Sequence, residues 1–139
     1  MYVAFTGTRK GVTAAQLAGL EELLLALDTD LMLHGNAVGA DEAASHVARG
    51  LGLGLHAFPS VLKQGRGVAD TWEQPAPPLE RNRRMVDHAD AVVAVPAGRV
   101  EEQRSGTWAT VRYARQRGKP VYIIYPDGEI SRPEEGPSR

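Results

Sequence analysis

The stretch Leu31–Asp41, with the sequence LMLHGNAVGAD, decides the fold that this chain is expected to adopt. Its short apolar run ends at His34 and Gly35, and Asp41 then opens an alanine-rich segment with helical spacing. A glycine-containing turn between a strand and a helix leaves backbone N–H groups free, and such groups bind anions. The stretch therefore predicts a strand, a turn and a helix that together form part of an anion site.

The same order of strand, turn and helix recurs along the chain. Apolar strands are predicted over residues 2–5, 31–33, 53–58, 91–95 and 121–125, with a segment of helical spacing between each successive pair. Because these strands are continuously apolar rather than alternating, they predict a parallel sheet that is covered on both faces. The expected fold is an α/β, Rossmann-like three-layer sandwich with a mainly parallel five-stranded sheet. Ligands of such folds bind at the carboxyl ends of the strands.

The length and charge of the chain limit its organisation and its partners. The 139 residues suit one domain, which is predicted to cover residues 1–128. Residues 129–139 are polar and rich in proline, and they are predicted to form a disordered tail. The 16 basic and 17 acidic residues give a formal net charge of −1. No overall field therefore attracts nucleic acid or an anionic membrane, and any basic site must be local.

The composition also bears on the compartment. The chain has no cysteine, which excludes disulfide and thiolate chemistry and permits a cytoplasmic location. No apolar run approaches the roughly 20 residues of a membrane span, and the first residues lack the pattern of a signal peptide. A cytoplasmic protein without a membrane partner is expected, and a homo-oligomer is left open.

Two loops are predicted to bind phosphate. In the loop 6–9, Gly7 permits close approach of a phosphate, to which Thr8 and Arg9 can donate hydrogen bonds. The segment Ser105-Gly106-Thr107 begins a helix, so it combines hydroxyl groups with unpaired N–H groups at the positive end of the helix dipole. Neither loop has the spacing of a dinucleotide-binding or ATPase fingerprint.

The opening stretch supplies four further candidate ligand contacts. Gly35 and Gly39 would let the backbone approach the ligand and form the floor of the pocket. His34 ends a buried strand, and it is either a structural hydrogen-bonding group or a ligand contact. Asp41 either caps its helix or binds a ribose hydroxyl.

A basic helix start follows a long irregular loop. Arg81 and Asn82 lie in the first turn of the predicted helix and are candidate contacts for a phosphate and a sugar. The preceding residues 60–78 are rich in glycine and proline, and a loop of that length is a lid, a binding loop or a partly disordered segment. Within it, Trp72 is a candidate for stacking on a base, whereas the core is an equally good place for Trp108.

Metal and nucleophile chemistry find little support in the sequence. The four histidines show no metal-ligand spacing, and no serine lies in a nucleophile elbow. No metal site and no catalytic residue is therefore assigned, and no cofactor is assigned beyond a nucleotide ligand.

Four short motifs occur in an order that resembles the SLOG superfamily of Rossmann-like nucleotide-binding proteins. They are Gly7-Thr8-Arg9, His34-Gly35 with Gly39-Ala40-Asp41, Arg81-Asn82 with Arg84-Met85, and Ser105-Gly106-Thr107. The resemblance covers roughly residues 1–128 and is greatest to the small YspA-like proteins. The superfamily also includes the DprA/Smf DNA-processing proteins, which bind single-stranded DNA, and the LOG phosphoribohydrolases.

The resemblance to LOG enzymes ends at the position of their catalytic glutamate. In those enzymes a glutamate that serves N-glycosidic bond cleavage lies three residues after a Gly-Thr pair, whereas Thr110 stands at that place here. A threonine cannot do the acid–base work of a carboxylate, so enzymatic activity is left open. Glu80, Glu101 and Glu102 are the acids considered as substitutes.

Three functions remain after this comparison. The leading one is binding of a phosphate-containing nucleotide or nucleotide derivative, of the ADP-ribose, NAD or nucleoside phosphate type, as a sensor or carrier. The alternatives are a LOG-like nucleotide N-glycosidase and a DprA-like binder of single-stranded nucleic acid. The last would use basic residues for the phosphate backbone, and they are Arg81, Arg83, Arg84 and Arg112.

Overall fold

The computed structural model describes residues 1–62 and 64–133. Within them the chain forms an α/β fold with a single sheet of seven strands and four helices. The strands are β1 (Tyr2–Gly7), β2 (Leu31–His34), β3 (Gly54–Ala57), β4 (Thr71–Trp72), β5 (Ala91–Val95), β6 (Val121–Ile124) and β7 (Ile130–Ser131). The helices are α1 (Ala14–Ala26), α2 (Ala40–Gly50), α3 (Pro78–His88) and α4 (Gly106–Gln116).

The strands follow the order β4-β3-β2-β1-β5-β6-β7, and every neighbouring pair is parallel except β6 with β7. The predicted Rossmann-like class is confirmed, and the five predicted strands form the centre of the sheet. The prediction of five strands was two short, because β4 and β7 are edge strands of two residues each. Such short edge strands carry no apolar run from which a sequence pattern could reveal them.

One reversal in the order of the strands determines where the candidate site lies. It first builds outward from β1 through β2 and β3 to β4, and it then returns to place β5 on the other side of β1. The strand order therefore reverses between β1 and β5. At such a switch point the loops that leave the two strands diverge, and a crevice opens at their carboxyl ends.

Helices cover both faces of the sheet, as the three-layer prediction requires. On one face, Phe5 of β1 packs in a cluster with Leu20 of α1 and Ala44 of α2. On the other face, Met85 of α3 and Val111 of α4 pack in a second cluster. Trp108 belongs to this second cluster and is only 4% exposed, which confirms the core alternative for that side chain.

The first helix is joined to the centre of the sheet by one buried amide. Thr13 and Gln16 form the capping box that their spacing predicts, with the Thr13 hydroxyl accepting the Gln16 N–H at 3.0 Å. The Gln16 Nε2 atom also donates to the carbonyl oxygens of Pro96 at 2.8 Å and Ile124 at 3.0 Å. The start of α1 is thereby fixed at the carboxyl ends of β5 and β6.

Part of the predicted loop 60–78, residues 64–68, packs along the end of β2 and the start of α2, whereas Thr71 and Trp72 form β4; residue 63 is outside the described residues. Gly67 N–H donates to Asn36 Oδ1 at 2.8 Å, and Val68 N–H donates to Ser45 Oγ at 3.0 Å. Trp72 lies on the edge strand β4 with 48% of its surface exposed, and it does not line the cavity described below.

The domain boundary predicted at residue 128 is too early. Strand β7 lies beyond it and pairs with β6, so residues 130 and 131 belong to the sheet rather than to a tail. The last six residues of the predicted tail, 134–139, lie outside the described residues. In the part of the chain that the structure covers, no helix has both the length and the apolar character needed to span a membrane.

Candidate functional site

A cavity of about 260 Å³ opens at the switch point between β1 and β5. Its walls come from the loops after β1 and β5 and from the first turns of the helices α3 and α4. Most of the ligand contacts predicted from the sequence line it, and these are Gly7, Thr8, Arg9, Asp41, Arg81, Asn82, Ser105, Gly106 and Thr107. The fold thus brings residues from four separate motifs to one space, although their contact with a ligand stays a prediction.

The loop after β1 brings two cations to the cavity. Thr8 N–H donates to the Val95 carbonyl at 2.9 Å, which continues the β1–β5 ladder, and its hydroxyl accepts the Lys10 N–H at 3.0 Å. These bonds fix the loop, whereas the side chains of Arg9 and Lys10 are exposed and line the cavity. Lys10 was not among the ligand contacts predicted from the sequence, although its position directly after Arg9 in the same loop could have indicated it.

The start of α4 supplies the opposite wall. Ser105 is the N-cap residue, and its hydroxyl accepts the Trp108 N–H at 3.3 Å. Among the described residues, the N–H groups of Gly106 and Thr107 have no hydrogen-bond partner. Unpaired N–H groups at the positive end of a helix dipole favour an anion in front of them.

Arg81, from the first turn of α3, lies buried in the floor of the cavity at 6% exposure. Its Nη1 donates to the carbonyl oxygens of Gly35 at 2.6 Å and Phe58 at 2.9 Å, and its Nε donates to Asn82 Oδ1 at 2.6 Å. Burial lowers the pKa of this guanidinium, which nevertheless stays charged. Arg81 therefore joins α3 to the ends of β2 and β3 while it faces the cavity.

Asp41 is the buried acid of the site, and it does not cap its helix. The N-cap residue of α2 is Gly39, and no side chain caps that helix. Asp41 Oδ2 instead accepts the N–H groups of Gly35 at 3.1 Å and Ala37 at 3.2 Å. Burial raises the pKa of Asp41 to about 6, an effect that the bond from Ala37 and the charge of Arg81 partly oppose.

His34 lies beneath the cavity and does not line it. The ring is fully buried, with Nε2 at 2.8 Å from the Val68 carbonyl and Nδ1 accepting the Asn36 N–H at 3.0 Å. Burial lowers the pKa of His34, so the ring is neutral with its proton on Nε2. Of the two alternatives drawn from the sequence, the geometry fits the structural one.

The glycines of the predicted pocket floor serve packing between protein groups. A Cβ atom at Gly35 would lie 2.5 Å from Arg81 Cζ, and one at Gly39 would lie 2.8 Å from the carbonyl oxygens of Thr8 and Arg9. Gly39 also has a φ of +88°, which favours glycine. Neither of these two glycines lines the cavity, and their contribution to the site is to let its walls approach each other.

A second space, a groove of about 250 Å³ between α3 and α4, lies beside the cavity. Thr110 lines this groove rather than the cavity, and its hydroxyl donates to the Gly106 carbonyl at 2.9 Å. Of the acids considered as substitutes for the LOG glutamate, Glu102 lines the cavity. Glu80 and Glu101 form ion pairs elsewhere, with Arg84 and Arg112 respectively.

Among known proteins, this chain resembles several solved structures but matches no family model or curated protein by sequence. The molybdenum cofactor binding protein from the phototrophic bacterium Rippkaea orientalis is similar, with a TM-score of 0.68, 22% identity, and coverage of 88% of this chain and 74% of that one. The protein TM1055 is similar with a TM-score of 0.65 and 19% identity, over 86% of this chain and 71% of that one.

DNA processing protein A (DprA) from Streptococcus pneumoniae is also similar, with a TM-score of 0.67 and 21% identity. The match covers 88% of this chain and 50% of DprA, so the chain spans half the length of that protein. These similarities, together with the strand order of the sheet, confirm the Rossmann-like fold that the sequence predicts.

Proposed function

We propose that the cavity between β1 and β5 binds the phosphate group of a nucleotide or nucleotide derivative. The observation that carries the proposal is the unpaired N–H groups of Gly106 and Thr107 at the start of α4, in a cavity that Arg9 and Arg81 also line. A group of donors and cations around one space suits a phosphate better than a neutral ligand. The similarity in fold to a molybdenum cofactor binding protein supports a ligand of this general kind.

The size of the cavity agrees with a ligand that is partly enclosed. A volume of about 260 Å³ lies just below the roughly 300 Å³ at which small-molecule sites begin. This volume is large enough for a phosphate with its sugar, and Asp41 and Asn82, which line the cavity, would serve as acceptor and donor for sugar hydroxyls.

Arg9→Ala tests the proposal without disturbing the fold. The Arg9 side chain is exposed and has no hydrogen bond or ion pair to other described residues, so the variant is expected to fold normally. Removing one charge-assisted phosphate contact should weaken nucleotide binding about tenfold. Arg115→Ala, an exposed arginine near the C-terminal end of α4, is the matched control and should bind as the wild type does.

The measurement is a thermal-shift panel of nucleotides, followed by isothermal titration of those that raise the melting temperature. Binding that Arg9→Ala weakens and Arg115→Ala leaves intact supports the proposal. If no nucleotide raises the melting temperature of the wild type, or if Arg9→Ala binds equally well, the proposed function is wrong.

N-glycosidic hydrolysis is a second candidate, and the position of Glu102 favours it. This exposed carboxylate lines the same cavity, where it could act on a nucleotide in place of the glutamate that Thr110 does not supply. Release of free base from nucleoside monophosphates, abolished in Glu102→Gln, would support the reaction. Absence of base after prolonged incubation would remove it and leave the binding function unaffected.

A further inference from the structure

The groove between α3 and α4 shares a wall with the cavity. Leu79 and Asn82, the second and fifth residues of α3, line both spaces. A ligand held in the cavity can therefore extend across this part of the helix into the groove. The two spaces, of about 260 and 250 Å³, together reach the size of typical small-molecule sites.

The groove contains an arginine that no carboxylate neutralises. Arg83 forms no ion pair with any described residue, and its guanidinium lies over the Tyr113 ring at 5.7 Å from the centroid. The other groove arginine, Arg112, is bound to Glu101 at 2.6 Å and to the Gln103 carbonyl at 3.1 Å. The positive charge available to a ligand in the groove thus comes from Arg83.

Polar groups beside Arg83 complete a surface for a second phosphate and its substituent. Asn82 uses its Oδ1 to accept from Arg81, which leaves its amide N–H groups to donate. The Thr110 hydroxyl donates its proton to the Gly106 carbonyl, so its oxygen is still able to accept a hydrogen bond. Gln116 adds a further amide to the groove. These groups match the phosphate and hydroxyls of a sugar phosphate.

We propose that the groove binds the second half of a pyrophosphate-linked ligand, with Arg83 contacting the second phosphate. The protein would then select nucleoside diphosphate derivatives or dinucleotides over nucleoside monophosphates. This inference rests on the proposed function of the cavity, which holds the first phosphate. The groove adds the contacts that a monophosphate lacks.

Isothermal titration with matched probes tests this selectivity. The probes are AMP and GMP, and their pyrophosphate-extended counterparts ADP-ribose and GDP-mannose. An extended probe is expected to bind about tenfold more tightly than its monophosphate, as one additional charge-assisted contact provides. Arg83→Ala should remove this advantage and leave the affinity for the monophosphate unchanged.

Arg117→Ala is the matched control for Arg83→Ala. Arg117 also lies over Tyr113, at 6.0 Å, but it pairs with Asp87 and does not line the groove. If loss of a cation on Tyr113 acted only through structure, both variants would weaken binding of the extended probes. Loss in Arg83→Ala alone therefore supports direct contact.

Two negative results are distinguishable. If monophosphates bind but extended probes gain nothing, or if Arg83→Ala keeps their advantage, the inference about the groove is wrong and the proposed function stands. If no probe binds, with inorganic phosphate included, the proposed function fails and the inference fails with it.

Discussion

The guanidinium of Arg81 packs so closely against Gly35 that only glycine fits at position 35. Arg81 Nη1 donates to the Gly35 carbonyl at 2.6 Å, and a Cβ atom at position 35 would lie 2.5 Å from Arg81 Cζ. Because Gly35, directly after β2, has no side chain, the buried guanidinium of Arg81 from α3 can lie in the floor of the cavity. The two residues are 46 positions apart in the chain.

Gly35→Ala is expected to displace this guanidinium. The added methyl group forces Arg81 away from the Gly35 and Phe58 carbonyls, and we expect a loss of about 2–4 kcal/mol in the free energy of unfolding. Urea denaturation measures it. Gly50→Ala is the control, because a Cβ atom there meets nothing within 4 Å and alanine has the higher helix propensity. Equal stabilities of the two variants would contradict this role of Gly35.

Asp41→Asn is expected to change how stability depends on pH. The pKa of Asp41 is raised from 3.8 to about 6, so between these values the folded state binds more protons than the unfolded state. The contribution of Asp41 to stability therefore falls as pH rises through this window, by about 3 kcal/mol in total. Asparagine stays neutral and keeps an oxygen that accepts the Gly35 and Ala37 N–H groups.

The measurement is the difference in unfolding free energy between Asp41→Asn and the wild type across pH 4 to 8. We expect this difference to increase in favour of the variant between about pH 4 and pH 6 and then to remain constant. A difference that is independent of pH would show that the Asp41 carboxyl is not held in the protonated form by its burial.

Gln16→Leu is expected to destabilise the fold although it replaces a polar group with an apolar one in the interior. It leaves the buried carbonyls of Pro96 and Ile124 without their donor and removes half of the capping box with Thr13. We expect a loss of about 2–4 kcal/mol, since each unpaired buried group costs about 1–3 kcal/mol. Denaturant unfolding measures this loss, and Glu21→Gln, an exposed substitution in the same helix, is the control. Equal stabilities of the two variants would contradict the role of Gln16.

Most of the fold could be predicted from local patterns. Five continuously apolar strands, each separated from the next by helical spacing, specify a parallel sheet with helices on both faces. The Thr13–Gln16 capping box and the helix start at Ser105 were equally evident, because caps depend on residues three apart. The edge strands β4 and β7 were missed, since two residues form no pattern.

The candidate site could be predicted as a set of loops, but the roles of its residues could not. His34 and Asp41 have the same sequence context whether they contact a ligand or the protein. Their hydrogen bonds to Val68 and to the 35–37 backbone depend on how the loop 60–78 and α2 pack. Lys10 was missed for a related reason, and Glu102 could not be told apart from Glu80 and Glu101, because nothing local distinguishes a polar residue at a cavity from one at the surface.

The sequence by itself determined the alternation of strands and helices, the hydrogen-bond donors of the loops that are predicted to bind phosphate, and the positions of the glycines. Only the tertiary structure decided the order of the strands, and hence the switch point between β1 and β5 at which the loops meet. It also decided that Gly35 accommodates Arg81 rather than a ligand. The physical reason is that periodicity and capping depend on neighbours within a few residues, whereas burial, charge and shared space depend on residues far apart in the chain.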